Sequence, residues 1–168
     1  MDVIRPGLAS KSRLRRRAAV AFLFALVAAL AAAQQVSPPG VLVARAAERQ
    51  VGVTTIYDPA YRRLGYPGGD VPIDRGVCTD VVIRSFRSIG VDLQVELHED
   101  MTRSFDQYPR LWNLSRPDSN IDHRRVPNLM TWFRRQGKEI SLEAEYLPGD
   151  IVAWRLPNGL HHIGIVST

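Results

Sequence analysis

The chain has 168 residues, with 22 lysines and arginines against 17 aspartates and glutamates, 45% hydrophobic residues and a single cysteine. Six of the basic residues and one acidic residue lie in the first 33 positions, which leaves 16 of each sign beyond them. The positive balance therefore belongs to the N-terminus, and without a basic tract interleaved with aromatics the remainder gives no footprint for nucleic acid.

Residues 1–33 have the three parts of a secretory signal. Arg13, Arg15, Arg16 and Arg17 form a basic n-region, an apolar run of 16 residues follows, and Ala31 and Ala33 offer small residues for cleavage before Gln34. A membrane span needs about 20 residues, so the run is short for one. The expected location is periplasmic or secreted, with the membrane met only through this segment if it is uncleaved. Residues 34–47, including Ser37-Pro38-Pro39-Gly40, read as a flexible leader. Residues 48–168 are enough for one domain and too few for two of ordinary size.

The domain begins with a predicted short helix over 58–64, where Asp58 is the N-cap, Pro59 takes the first helical position and Gly65 is the stop. A turn-rich loop, Tyr66-Pro67-Gly68-Gly69-Asp70-Val71-Pro72, leads to Cys78. From Cys78 onward Val82, Phe86 and Ile89 recur at helical spacing, Asp80 and Arg84 stand four apart as an ion pair, and Gly90 closes the helix. Leu97, Met101 and Phe105 predict a second amphipathic helix that ends by Pro109. Pro127 opens a third, with Leu129, Trp132 and Phe133 apolar, Arg134 and Arg135 in the last turn and Gly137 as the stop. Two strands follow, 151–154 and 162–166, joined through Pro157-Asn158-Gly159.

A lone cysteine cannot form an intramolecular disulfide, and outside the cytosol its most informative use is as a nucleophile. At a helix start the unpaired backbone N–H groups favour its thiolate, which predicts a depressed pKa for Cys78. The histidine strand supplies a candidate base. With strand alternation, His162, Gly164 and Val166 share a face that the cysteine helix is expected to approach across Gly164, and His161 shares the other face with Ile163 and Ile165. Asn120-Ile121-Asp122-His123-Arg124-Arg125 is the densest polar cluster. Arg124 or Arg125 could clamp a substrate carboxylate and His123 line the cleft, or the segment is a solvated loop in which Asp122 pairs locally with an arginine. A metal site drawing on His98, Asp100, Asp122 and His123 fits no established zinc spacing, so neither metal nor cofactor is expected.

Tyr66-Pro-Gly-Gly-Asp-Val-Pro, Gly76-Val-Cys-Thr-Asp, Asp92-Leu-Gln, His98-Glu-Asp-Met, Tyr108-Pro, Asn120-Ile-Asp-His-Arg-Arg-Val-Pro-Asn-Leu, Pro148-Gly-Asp-Ile-Val-Ala-Trp and His162-Ile-Gly-Ile-Val occur in this order. Together they resemble the bacterial domain of unknown function 1287 family over nearly everything from Tyr57 onward. The closing Gly-Asp-Ile-Val and His-Ile-Gly-Ile are similar to NlpC-type cell-wall cysteine peptidases. The resemblance implies an α+β papain-like fold, with the nucleophile helix packed on a small antiparallel sheet, Cys78 as nucleophile and His162 as base. It also implies further strands and an orienting polar residue beyond Thr168. The activity implied is hydrolysis of amide bonds in peptidoglycan peptides or another envelope substrate. An inactive envelope-binding module, and an acyl or thioester transferase on the same scaffold, are the alternatives.

Overall fold

The N-terminal half of the domain folds around helices, and the only extended pairing before Cys78 among the described residues is two residues long. The computed structural model describes residues 38–168, so the expected signal segment lies outside the described residues. Helix α1 spans Pro39–Glu48, strand β1 Ile56–Tyr57, strand β2 Arg75–Gly76, helix α2 Cys78–Arg87 and helix α3 Leu93–Ser104. A 3-10 turn, Phe105–Gln107, follows, then a second at Asp122–Arg124, helix α4 at Val126–Arg135, and strands β3 at Ile151–Arg155 and β4 at His161–Ile165. No helix among these is long and apolar enough to cross a membrane.

Where the sequence suggests a flexible leader, residues from Pro39 are helical. Pro39 and Gly40 open α1, where a missing N–H costs nothing, and Val43, Ala44 and Ala46 are buried. Just past its end, the Gln50 side-chain amide donates to the Val81 carbonyl and to Ser85 Oγ of α2, both at 3.1 Å. This apolar stripe and its tether explain why the segment is ordered against α2.

The helix expected over 58–64 does not form. In a helix the Ala60 carbonyl would accept from the Leu64 N–H. Here the Ala60 carbonyl accepts from Arg124 at 3.1 Å, and the Leu64 N–H donates to Asn120 Oδ1 at 2.8 Å. Asp58 accepts from the Ala60 N–H at 3.0 Å, an Asx turn in place of a cap. Residues 58–64 are thus a strap whose polar groups are consumed by tertiary partners.

The other helices match their sequence signals more closely. Asp92 caps α3 by accepting from the Gln94 N–H at 3.1 Å, five residues upstream of the Leu97 that opens the predicted apolar pattern. Gly90 closes the α2 turn with φ +82°, a conformation that favours glycine. Val82 and Ile83 of α2, Leu93, Leu97 and Met101 of α3, Leu129 and Trp132 of α4 and Ile163 of β4 form one buried cluster with Tyr108 and Val126. β3 and β4 pair antiparallel, with Trp154 opposite His162 and Ala153 opposite Ile163, whereas β1 and β2 pair in parallel. The architecture is α+β, with the cysteine helix packed against a two-stranded sheet.

Candidate functional site

Cys78 is the first residue of α2, half-buried, and packed against the apolar cluster. Two neighbours fix that helix start. The Asp80 carboxylate reaches back to accept from the Val77 N–H at 2.6 Å, and Gly76 approaches so closely that an added Cβ would lie 2.7 Å from Asp80 Oδ2. Thr79 is fully buried and donates its hydroxyl to the Arg124 carbonyl at 3.0 Å.

Asp80 does not pair with Arg84. It takes both Nε and an Nη of Arg124, each at 2.9 Å, and the two side chains are 4% and 2% exposed, so the pair lies inside the fold. Arg84 instead holds Asp70, at 2.8 and 3.0 Å, and donates to the Arg75 carbonyl at 3.1 Å. The four-residue spacing is sound helix geometry, but each residue has a longer-range partner, buried for Asp80 and partly exposed for Arg84. Together the two arginines tie the loop before Cys78 and the strap beside it to α2.

On β4 the ladder fixes which groups face the cysteine. The Leu156 N–H donates to the Leu160 carbonyl and the Val166 N–H to the Asp150 carbonyl, both beyond the strand ends. Counting in twos between them makes Trp154–His162 and Val152–Gly164 the hydrogen-bonded pairs, and turns the Ile163 N–H away from β3. That N–H is directed at the Cys78 sulfur, where it stabilises the thiolate together with the N–H groups of Thr79 and Cys78 itself. Burial is the larger influence and, with the Asp80 charge, it holds the thiol above its ordinary value. The expectation of a depressed Cys78 pKa is therefore corrected: in the free protein the helix N-terminus is outweighed by desolvation.

The expected use of the two strand faces is corrected as well. Ile163 is 2% exposed and belongs to the core with Cys78 packed against that cluster, so the face of Ile163 and Ile165 is the buried one. Gly164 makes room for the Trp154 ring, whose atoms would stand 3.4 and 3.5 Å from an added Cβ. The same ring meets His162 edge-on, with centroids 4.8 Å apart. His162 is half-buried beneath this contact, whereas His161 is exposed and lies 3.4 Å from an Arg155 nitrogen through Nε2. One peptide unit therefore joins His162 to the Ile163 N–H that meets the thiol.

Of the four residues expected to meet substrate, three are inside the fold. Asp122, His123 and Arg124 are 1%, 2% and 6% exposed. Arg124 cannot serve as an exposed clamp, since it is spent on Asp80 and on the Asp58 and Ala60 carbonyls. His123 lines no cleft, and burial lowers its pKa to about 4, so it is a neutral core residue near neutral pH. Arg125 pairs with Asp122 at 3.0 Å and lies 4.2 Å above the Trp112 ring centre. Asp122 does pair locally with an arginine, but the segment is not the solvated loop of that alternative, since Asp122, His123 and Arg124 are buried. Among the described residues, no group of three His, Cys, Asp or Glu side chains is placed to hold a metal ion.

The fold and site define a small α+β domain in which a cysteine-led helix is pinned by a buried arginine and abuts a histidine-bearing hairpin. Residues 44–168 match the domain of unknown function DUF1287, and the chain belongs to that family. It is similar to the uncharacterized protein YijF of Escherichia coli (strain K12), 60% identical over 128 residues, which cover 74% of this chain and 62% of that protein. The chain thus spans less than two thirds of the curated relative's length. No solved structure matches the chain.

Proposed function

We propose that the domain is an exported thiol hydrolase, periplasmic or secreted, that cleaves amide bonds in cell-wall peptides with Cys78 as nucleophile and His162 as base. The observation that carries the reading is the placement of the Cys78 sulfur at a helix start, against the backbone N–H of the residue after His162. The resemblance of the closing Gly149-Asp150-Ile151-Val152 and His162-Ile163-Gly164-Ile165 blocks to NlpC-type peptidases points to the same assignment.

In this mechanism the thiol begins protonated, because burial holds its proton on. His162 accepts that proton, and the sulfur forms a bond to the amide carbonyl carbon. The oxyanion that develops is stabilised by backbone N–H groups near Cys78. The C–N bond breaks as the imidazolium returns the proton to the leaving amine, and water activated by the same imidazole then hydrolyses the thioester. The test is mass spectrometry of muropeptides incubated with the wild-type protein and with Cys78→Ser. Wild-type-dependent loss of one amide bond, with the gain of one water, supports the reading. An unchanged muropeptide profile refutes it.

A second reading, an envelope-binding module without turnover, is favoured by the raised pKa of Cys78. It predicts retention on purified peptidoglycan by both proteins and no new fragments from either. A transferase on the same scaffold differs in the acceptor, and adding a primary amine during the incubation would trap its acyl product.

A further inference from the structure

The hairpin of β3 and β4 has two outer edges, and the cysteine helix meets one of them. The ladder turns the N–H and C=O groups of Ile151 and Ala153 away from β4, just as it turns those of Ile163 away from β3. The Ile163 N–H is the group that meets the Cys78 sulfur. On the opposite edge, no backbone or side-chain group among the described residues takes the N–H or C=O of Ile151 or Ala153. A strand edge left open in this way is a template for another extended chain.

An apolar cleft of about 520 Å³ lies beside this open edge, with Ile151, Val152 and Ala153 in its lining. Its volume is within the range of about 300–1,000 Å³ typical of ligand sites. The lining from α2 and α4 is aromatic, since Phe133 packs on Phe86 with ring centres 5.6 Å apart and on Trp132 at 5.1 Å. The loop that follows α4 adds Ile140, Leu142 and Tyr146, which are 51%, 86% and 42% exposed. Exposed apolar side chains gathered about one cleft, rather than scattered singly, mark an interaction site. The cleft also holds an unused donor: Trp132 is 8% exposed, and its indole Nε1 is buried with no acceptor among the described residues. Such a group favours an acceptor supplied from outside. The charges around the cleft cancel, because Arg134 pairs with Glu139 at 3.2 Å and Lys138 and Asp150 add one of each sign.

We propose that this cleft and the outer edge of β3 form a docking groove for an uncharged, extended segment of a partner protein, which joins the hairpin as a third strand and lowers alternate apolar side chains into the cleft. Each part of the groove selects one part of that occupant. The open groups of Ile151 and Ala153, two residues apart, match the hydrogen-bonding period of a strand. The aromatic and aliphatic lining takes the apolar side chains of one strand face, the Trp132 indole N–H donates to an oxygen of the segment, and the balanced charges match an uncharged occupant. The thiol and the groove lie on opposite edges of the hairpin, so the groove is a partner site apart from Cys78 and is independent of the hydrolase reading.

The experiment is calorimetric titration of the full chain with a blocked, uncharged heptapeptide in which threonine alternates with valine, phenylalanine and valine, together with the indole N–H signals in proton–nitrogen correlation spectra. The peptide should bind, and the indole signal that disappears in Trp132→Phe should shift on saturation. Two N-methylated forms, one methylated on the apolar residues and one on the threonines, should part company. The form methylated on the set that faces β3 should lose affinity at least about tenfold, and the other should keep it. Ala153→Pro removes an outward N–H and leaves the ladder to β4, so it should abolish binding with an unchanged circular dichroism spectrum. Cys78→Ser should bind the peptide as the wild type does. Equal affinity of the two methylated forms, a Trp132 signal that stays in place, loss of binding in Cys78→Ser, or no binding at about 1 mM peptide overturns the proposal. A full chain that dimerises through this edge, with the dimer dissociated by Ala153→Pro, assigns the groove to a second copy and overturns it as well.

Discussion

Asp80 and Arg124, 44 residues apart in the chain, meet face to face behind the first turn of the cysteine helix, with two contacts of 2.9 Å and almost no exposure to solvent. Removing one partner strands the other charge in the interior, at a cost of about 3–5 kcal/mol. Arg124→Met should therefore lower stability by that amount in urea unfolding. The double variant Arg124→Met, Asp80→Asn should cost less than the sum of its parts, because the stranded charge is gone. Additivity of the two changes would show that the pair is not coupled.

The second prediction concerns the thiol. Burial outweighs the N–H groups around Cys78 and raises its pKa, so the thiolate fraction of the free protein is small near neutral pH. The rate of iodoacetamide alkylation should climb through pH 9 without an earlier plateau. A rate already at its plateau at pH 7 would show that the helix start and His162 dominate after all.

Third, the two adjacent histidines should differ in consequence. His162 is half-buried under Trp154 and one residue from the N–H that meets the thiol, while His161 is exposed beside Arg155. If the hydrolase reading holds, His162→Ala lowers turnover of a defined muropeptide at least about a hundredfold through loss of general acid–base catalysis. His161→Ala should cost far less. The reverse order, in two variants shown to be folded, would place the base on the other face of β4.

The fourth prediction is a pH dependence of stability. His123 is 2% exposed, and its pKa falls from an ordinary 6.5 to about 4, chiefly through burial. Because the folded value is the lower one, the unfolded chain binds the extra proton first. The contribution is complete above pH 6.5 and is lost as pH falls toward 4, to the extent of about 3 kcal/mol. His123→Gln should remove that part of the slope, seen as a smaller difference in urea midpoint between pH 7 and pH 4. An unchanged slope would mean that His123 is protonated in the fold.

The helices of the core were legible because their information is local. Val82 and Phe86 in α2, Leu97 and Met101 in α3, Pro127 at the head of α4 and the glycines at 90 and 137 each act through residues a turn away or less, and so does the pairing of β3 with β4 across a short turn. The segments misread were those whose partners are distant. The strap at 58–64 carries a sound helix-start signal, but Arg124 and Asn120 take the polar groups a helix would have used. Residues 34–47 have leader-like composition, yet the segment from Pro39 is a helix with a buried stripe and a tether to α2 just beyond its end.

At the site the division is similar. Sequence alone placed Cys78 at a helix start and the histidines at the mouth of a strand, since both follow from periodicity and turn residues. The role of Arg124 could not be read from it: an arginine in a polar run looks the same whether it faces solvent or a buried carboxylate 44 positions away. Nor could the sign of the thiol's pKa shift, because the helix terminus acts over one turn whereas desolvation depends on the packing of the whole core around the sulfur. Local sequence determined which residues head the helix and the strand, and the long-range packing alone decided which charges are free to act.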